Sequence, residues 1–342
     1  MKLNKVALIL SLCFANQSTA QKHEVYLYNW DEFLSEEVIS QLSEQHDISL
    51  KQQFFSDESI RDEVLLSERR GAFELVIIES VQLKKLANQN IFHDLSDLKE
   101  TLASNFDKKW LDGCGPWGLP YAWGTSGILY RIDSIDTPTS WKTLLEPKPE
   151  VKGKISMYYE PTDLVGAALL VHRLDPFTND IEELRLAYQT LINQKNFLDS
   201  NQYIIDYIND PDRLANIDLA YGYSGDSYVL NEVENDSWAY SVPEEGTTLW
   251  LECIAAIDNG ELSEQVKTTL SYLSTPEIAA KNAMDAWFAT PSSKAKSLTT
   301  DAYKNDKELF PEETIIERSH LYKTLPPKSI QIRNRIIESL RN

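Results

Sequence analysis

Tryptophan and carboxylate residues stand together where a predicted strand ends. The stretch LYNWDEF, residues 27–33, carries Trp30 and Asp31 directly after that strand, and Phe33 follows two positions later. The face of an indole ring attracts an ammonium group, and a carboxylate pairs with the same group through charge-assisted hydrogen bonds. The combination therefore indicates a site for a cation.

The same combination recurs inside a later predicted strand. Trp250 and Glu252 lie two positions apart in the stretch LWLECIAAI, residues 249–257. Because side chains alternate along a strand, both point to one face. A carboxylate on that face of an otherwise apolar strand is costly to bury without a partner. We therefore expect Trp250 and Glu252 to contact a ligand.

Other acidic residues allow a structural alternative. Glu160 and Asp163 lie three apart across a predicted helix start, and Asp226 follows Tyr223 by three at another. Carboxylates at such positions commonly cap a helix or close a turn. A linear polyvalent amine would instead use them together with the aromatic rings, since its methylenes pack on rings while its nitrogens meet acids. The spacing leaves both interpretations open.

An α/β fold would position these residues. Strands are predicted over residues 24–29, 48–54 and 73–78, and helices over 34–45 and 58–69 alternate with them. This order is typical of a mostly parallel sheet covered by helices.

A second α/β region follows the first without a long linker. Its predicted strands span residues 153–159, 217–222 and 249–257, and helices dominate from residue 262 onward. The extended stretch 119–130 lies between the two regions. Two adjoining α/β lobes predict a cleft between them, which is the usual place for a ligand.

Charge and the first twenty residues bear on the compartment and the partners. Residues 1–20 are predicted to be a cleaved signal peptide, since a basic start precedes a short apolar run and small residues precede the cut. Cys13 follows Leu12, which is too large for a lipoprotein processing site. Cleavage changes the net charge from −20 to −22, which disfavours nucleic acid as a partner. We expect a soluble periplasmic protein.

Two cysteines remain after the predicted cleavage, Cys114 and Cys253. An even number of cysteines in an oxidising compartment permits one disulfide, which we expect between these two residues.

Several catalytic signatures do not occur. The sequence has no glycine-rich phosphate loop, no dinucleotide fingerprint and no CxxC motif. GYSGD at 222–226 lacks the glycine spacing of a nucleophile elbow, and the five histidines have no metal-ligand spacing. We expect no cofactor, no metal site and no enzymatic activity. A carboxylate-based hydrolase such as a glycosidase is the alternative, because it needs only two acids in a cleft.

The order of motifs resembles that of the bacterial periplasmic polyamine-binding proteins, the substrate-binding components of spermidine and putrescine uptake systems. The similarity covers residues 24–342 and is carried by YNW at 28–30, LPYAWGTSGI at 119–128, YGYSGD at 221–226 and PEEGTTLWLE at 243–252. The resemblance implies a two-lobed periplasmic-binding-protein fold of the type II kind that closes around its ligand by a hinge.

The resemblance also implies a set of ligand-binding residues. Trp30 and Phe33 would stack on the ligand, Glu79 stands where the family has a small serine, and Phe288 falls where it has a tyrosine. The full set of ligand-binding residues predicted in this way comprises Trp30, Asp31, Phe33, Glu79, Glu160, Asp163, Tyr223, Asp226, Trp250, Glu252 and Phe288.

Lobe boundaries and partners complete these expectations. Lobe 1 is predicted to comprise residues 21–126 plus about 254–297, and lobe 2 about 127–253 plus 298–342. The resemblance implies a polyamine ligand such as spermidine, norspermidine or putrescine. It also implies an inner-membrane partner, either an ABC permease for uptake or a membrane-bound sensor, a cyclic-di-GMP enzyme, for signalling.

Overall fold

The computed structural model describes residues 22–341, so the predicted signal peptide lies outside the described part of the chain. This part contains ten strands: β1 (His23–Asn29), β2 (Ile48–Phe54), β3 (Leu75–Glu79), β4 (Gly118–Arg131), β5 (Ile155–Ser156), β6 (Leu198–Ser200), β7 (Leu219–Tyr223), β8 (Trp238–Ser241), β9 (Thr248–Ala256) and β10 (His320–Leu321).

Sixteen α-helices belong to the same described residues: α1 (Glu36–His46), α2 (Glu58–Leu65), α3 (Ser80–Ala87), α4 (Ser96–Leu102), α5 (Lys108–Gly113), α6 (Lys142–Leu145), α7 (Pro161–Leu170), α8 (Ile181–Gln194), α9 (Pro211–Leu214), α10 (Asp226–Glu234), α11 (Glu264–Leu273), α12 (Pro276–Asp285), α13 (Ser293–Ser297), α14 (Asp301–Lys304), α15 (Glu313–Ile316) and α16 (Pro327–Arg341). None of the helices within residues 22–341 is both long enough and apolar enough to cross a membrane.

The strands form one continuous hydrogen-bonded path. Its order is β2-β1-β3-β9-β4-β7-β5-β6, with β10 paired to β9 and β8 paired to β4. β1 runs parallel to β2 and β3, whereas β9 runs antiparallel to both of its main neighbours, β3 and β4. The sheet is therefore mixed, and its strand β9 comes from late in the sequence.

Two main hydrophobic cores define two lobes. The core of lobe 1 contains residues between positions 25 and 123 and between 249 and 309. The core of lobe 2 contains residues between positions 128 and 221 together with Ile336, Ile337 and Leu340 of α16. β4 passes from one lobe to the other, since its first half pairs with β9 and its second half pairs with β7.

The packing bears on the predicted lobe boundaries. The predicted lobe 2 includes residues 249–253 and 298–310. In the structure Leu249, Leu251 and Tyr303 belong to the core of lobe 1. We propose that lobe 1 extends to these residues.

Several predicted elements match the structure and others differ. The prediction of a strand over residues 48–54 is confirmed, and β1 begins one residue before its predicted start. The helix predicted over residues 58–69 ends at Leu65, because Ser67 starts a separate 3₁₀ turn at Glu68–Ala72 by accepting the backbone N–H of Arg69. The strand predicted over residues 153–159 is reduced to Ile155–Ser156.

Cys114 and Cys253 are joined by a disulfide, and their Cα atoms lie 5.9 Å apart. Cys114 follows α5 and Cys253 lies in β9, and both belong to the core of lobe 1. The bond therefore links two parts of the same lobe and does not cross the cleft.

Candidate functional site

Two carboxylates face each other across neighbouring strands of lobe 1. Glu79, the last residue of β3, is paired in register with Glu252 of β9. Partners in register point to the same face of a sheet. Glu252 is only 8% exposed, and its Oε2 accepts no hydrogen bond from any described residue.

Burial changes the proton affinity of both groups. Burial raises the pKa of Glu252 to about 7, while the Arg61 guanidinium opposes the rise. Burial also raises the pKa of Glu79 well above its usual value, and the charges of Glu58 and Glu252 add to this effect. An ammonium group placed between these carboxyls would restore their ionised forms.

Trp250 lies on the same strand as Glu252 and owes its position to a glycine. Gly124 of β4 is its partner in register. A Cβ on Gly124 would lie 2.2 Å from Cζ2 of Trp250 and 2.3 Å from Oγ of Ser224. The indole thus occupies space that any other residue at position 124 would fill. The buried Nε1 of Trp250 finds no acceptor among the described residues.

Gly124→Ala is expected to displace the Trp250 indole and to weaken ligand binding about tenfold, because the added methyl cannot coexist with the ring. Tryptophan fluorescence and calorimetric titration would measure the two effects. Gly71→Ala is the matched control, since a Cβ there meets no atom within 4 Å. Unchanged fluorescence and affinity in Gly124→Ala would contradict this role for the glycine.

The segment after β1 supplies a ring but not a buried charge. Trp30 is half-buried, and its ring packs edge-on against Phe55 at 4.4 Å between centroids. Asp31 is exposed, and its Oδ1 accepts the backbone N–H of Glu32 at 3.0 Å. Asp31 therefore closes a local turn, and the structure does not bring it into the group of buried acids.

Phe33 and Phe288 belong to one aromatic cluster of lobe 1. Their ring centroids lie 5.0 Å apart, and Tyr121 packs against both rings. The Tyr121 hydroxyl donates to the Phe33 carbonyl at 2.6 Å and accepts from Asn282 at 2.9 Å. Phe288 is buried, whereas Phe33 remains half-exposed. Of the two rings, Phe33 has more surface available to a ligand.

Asp163 is the buried acid of lobe 2. Its side chain lies in α7, is 4% exposed and accepts the Tyr223 hydroxyl through Oδ2. Oδ1 makes no hydrogen bond of ordinary geometry within residues 22–341, although the nearby Tyr221 hydroxyl lowers the pKa of the carboxyl. Burial raises the pKa of Asp163 well above its usual value, and the Glu160 charge raises it further. Asp163 therefore presents one free carboxylate oxygen, as Glu252 does in lobe 1.

The structural alternative applies to the other two acids of lobe 2. Glu160 caps α7, because its Oε2 accepts the backbone N–H groups of Thr162 at 2.6 Å and Asp163 at 2.8 Å. Asp226 accepts the Tyr203 hydroxyl at 2.6 Å and the Tyr223 backbone N–H at 2.7 Å. Capping is confirmed for Glu160. Both oxygens of Asp226 are engaged by the protein itself.

The acids of the two lobes lie within electrostatic range. The charge of Asp163 in lobe 2 contributes to the raised pKa of Glu79 in lobe 1. Burial raises the pKa of Tyr158 in lobe 2 to about 12, and Glu58 of lobe 1 is among the charges that add to the rise. The cleft between the lobes is thus lined by acids, two of which carry an oxygen that lacks a donor.

Several residues near this cleft are not among those predicted from the sequence. Glu58 and Arg61 lie one turn apart on α2, and nothing in their spacing distinguishes them from an ordinary surface ion pair. Tyr158 and Tyr203 pack against Tyr223 and extend the aromatic wall of lobe 2. Tyr158 carried a signal, since it lies two residues before Glu160 at the end of a predicted strand.

A metal-binding cluster or a second cavity would be an alternative site. No group of three or more His, Cys, Asp or Glu residues within residues 22–341 is arranged to hold a metal ion. A cavity of about 380 Å³ lies away from the cleft on lobe 2, where Lys142, Arg173 and Glu245 are among its lining residues. Oε2 of Glu245 in this cavity also lacks a donor among the described residues, but only at the cleft do unpartnered carboxylate oxygens come from both lobes, Glu252 in lobe 1 and Asp163 in lobe 2.

The family is decided by comparison with known proteins. The profile of the family described as bacterial extracellular solute-binding protein matches residues 37–311. The chain belongs to this family. It is 29% identical over 332 residues to the norspermidine sensor of Vibrio cholerae, which covers 96% of this chain and 91% of that protein.

Further relatives agree with this assignment. The putrescine-binding periplasmic protein SpuD of Pseudomonas aeruginosa is 25% identical over 95% of this chain and 94% of its own length. The solved structure of a spermidine/putrescine substrate-binding protein of Streptococcus pneumoniae superposes with a TM-score of 0.82 at 20% identity, covering 93% of this chain and 98% of that one. The predicted two-lobed periplasmic-binding-protein fold is confirmed. These relatives are named as binding proteins or as a sensor, so they do not support the hydrolase alternative.

Proposed function

We propose that this protein binds a linear polyamine in the cleft between its lobes. The supporting observation is that Glu252 Oε2 and Asp163 Oδ1 are buried on facing lobes without a hydrogen-bond donor from the described residues. Trp30 and Trp250, both half-buried, supply rings on the lobe 1 side. Ammonium groups would donate to the two carboxylates, and the methylenes between them would pack on the rings. The names of the relatives support the same ligand class.

Binding and closure would be coupled. Contacts to Glu252 of lobe 1 and Asp163 of lobe 2 can form together only when the lobes approach each other, so the ligand shifts the population toward the closed form. A micromolar affinity needs about 8 kcal/mol. Two cation–π contacts of about 0.5–2 kcal/mol each and several charged hydrogen bonds of about 1.5–3 kcal/mol each can supply it after the entropy cost.

Calorimetric titration of the refolded, ligand-free mature protein tests the proposal. The titrants are putrescine, cadaverine, norspermidine and spermidine. We expect saturable binding at micromolar or tighter affinity for at least one of them. The absence of both heat and thermal shift with all four amines would overturn the proposal. Binding that survives replacement of Glu252 and Asp163 by amides would place the ligand elsewhere.

Affinity is expected to rise at least about tenfold between pH 5.5 and pH 8. The pKa of Glu252 is raised to about 7 in the ligand-free protein, so at pH 5.5 the carboxyl is protonated and must lose its proton to receive an ammonium. Binding should therefore release protons near pH 6, which is measurable by titration in buffers of different ionisation enthalpy. A pH-independent affinity without proton release would contradict this prediction.

The stability of the ligand-free protein should change with pH in the opposite direction, falling as the pH rises. Because the pKa values of Glu79, Asp163 and Glu252 are raised on folding, their protonated forms favour the folded state below about pH 4.5. That contribution is lost as the pH rises through the folded pKa values. Thermal unfolding without ligand should occur at a lower temperature at pH 8 than at pH 5, and saturating amine should reduce the difference.

The export route and the membrane partner complete the proposal. The protein would reach the periplasm after cleavage of residues 1–20, carry no catalytic activity and present its closed form to an inner-membrane protein. Similarity to a norspermidine sensor supports a sensing role, for which we propose a membrane-bound cyclic-di-GMP enzyme as the partner, and similarity to transporter components supports an ABC permease. Deletion of the gene separates the two: loss of labelled polyamine uptake indicates the permease, and a change in cyclic-di-GMP at unchanged uptake indicates the sensor.

A further inference from the structure

A buried arginine lies beside the acidic cleft. The Arg61 side chain, on α2, is 1% exposed. Its Nε and Nη2 donate to Asp62 Oδ1 at 3.1 and 3.0 Å. Its guanidinium carbon lies 5.5 Å from the centre of the Phe55 ring, which also packs against Trp30. Arg61 is therefore held in place next to the ring that supports a cleft tryptophan.

One nitrogen of this guanidinium makes no hydrogen bond with residues 22–341. Nη1 is buried and has no hydrogen-bond acceptor among residues 22–341. Oε1 of Glu58 approaches it to 3.7 Å, which is too long for a hydrogen bond. A buried charged donor that makes no hydrogen bond is costly, and an ion-pair contact at 3.7 Å offsets this cost only in part. The hydrogen bonds to Asp62, its neighbour on the same helix, use the other nitrogens and leave Nη1 without an acceptor among the described residues.

The Arg61 charge acts on the acids that face the ligand. It opposes the rise in pKa that burial causes at Glu79 and at Glu252. The charged groups that surround this corner of the cleft come from five elements and are Glu58 and Asp62 on α2, Glu79 on β3, Lys85 on α3, Glu252 on β9 and Asp163 on α7. A cation of the protein itself thus lies next to the cleft, within electrostatic range of carboxylates that would receive ligand ammonium groups.

We propose that Arg61 is a specificity-determining residue. Its guanidinium serves as a resident cation at the Glu79–Glu252 end of the cleft, so this end accepts one ammonium fewer than its carboxylates alone would accept. Like charges at short range repel strongly where water is excluded. The resident charge therefore disfavours amines that carry an additional ammonium at this end, and selects by the number and spacing of ligand charges. This inference rests on the proposed function. It adds a residue, Arg61, that limits the number of charges on the ligand.

The test compares Arg61→Gln with Arg61→Lys in the mature protein, each titrated with putrescine, norspermidine and spermine. Loss of the charge in Arg61→Gln is expected to raise the affinity for spermine relative to putrescine about tenfold. Arg61→Lys keeps the charge and should retain the wild-type ratio within about threefold. Asp62→Ala is the control for the anchor, since it removes the acceptor of Nε and Nη2 but leaves the cation. A uniform loss of affinity for all three amines in Arg61→Gln would overturn the proposal and leave Arg61 as a structural anchor.

A ligand-free measurement separates this inference from the proposed function. Without the Arg61 charge, the pKa values of Glu79 and Glu252 should rise further. The difference in unfolding temperature between pH 5 and pH 8 should then grow in Arg61→Gln but not in Arg61→Lys. This result in a protein that binds none of the amines would refute the polyamine proposal and still support Arg61 as the resident cation. An unchanged difference would refute the role of Arg61, whether or not amines bind.

Discussion

Glu252→Gln is expected to weaken polyamine binding about 30-fold to 100-fold while leaving the fold intact. The amide is nearly the same size as the carboxyl, so the packing of β9 is preserved, but the charge that would pair with an ammonium is removed. A charged hydrogen bond contributes about 1.5–3 kcal/mol, and Oε2 has no protein donor to lose among the described residues. Calorimetry at pH 8, where the wild-type carboxyl is ionised, measures the effect.

The same substitution should also change the stability of the ligand-free protein. Ionisation of Glu252 disfavours the folded state above its pKa of about 7, and glutamine has no such cost. Glu252→Gln should therefore unfold at a higher temperature than the wild type at pH 8 and at a similar temperature at pH 5.

Glu160→Gln is the matched control for this experiment. Its carboxylate caps α7 through the N–H groups of Thr162 and Asp163, so its replacement should cost about 0.5–2 kcal/mol of stability and change affinity less. Equal losses of affinity in Glu160→Gln and Glu252→Gln would show that the loss comes from the removal of a negative charge at a distance and not from a direct contact between Glu252 and the ligand. Unchanged affinity in Glu252→Gln would remove the central carboxylate from the proposed site.

Removal of the disulfide should have the largest effect on stability. Cys114→Ala together with Cys253→Ala opens a link between residues 139 positions apart, which in the chain-entropy model costs about 3–5 kcal/mol. The unfolding temperature should fall by about 5–10 °C. Thermal and urea unfolding of the double variant and of the wild type would measure the loss.

Ligand affinity should be nearly unaffected by the same double variant. Both cysteines lie in the core of lobe 1, so the bond restricts neither the approach of the lobes nor the residues of lobe 2. Reduced wild-type protein is the control, because it keeps both sulfur atoms and loses only the bond. A stability loss under about 1 kcal/mol, or a large loss of affinity in a folded variant, would contradict this account.

Local patterns in the sequence were sufficient to predict the elements that carry the candidate site. Alternating apolar residues predicted the strand over 48–54 at its observed bounds. Helix-capping chemistry, which was left open for Glu160, is visible in the structure because the cap involves residues only two and three positions away. Interactions of this kind depend on neighbours in the chain and can be predicted from spacing.

Interactions between distant residues could not be predicted in the same way. The register that sets Glu79 opposite Glu252 joins residues 79 and 252, and no local pattern encodes that pairing. The hydrogen bond from Tyr203 to Asp226 spans 23 positions, so spacing could suggest only the local bond from the Tyr223 N–H to this acid. Arg61 is a similar case, since its charge acts on Glu252, which lies far along the chain. Spacing on one helix suggests only a surface ion pair.

The place of β9 in the sheet has a consequence for how the chain becomes folded. This strand lies between β3 and β4, yet it begins at Thr248, after more than two thirds of the chain has been synthesised. Until then β3 and β4 expose the backbone edges that β9 will pair. The amino-terminal half therefore cannot complete its lobe before β9 has been made. Lobe 1 can be completed only when β9, a strand from late in the sequence, is available for pairing.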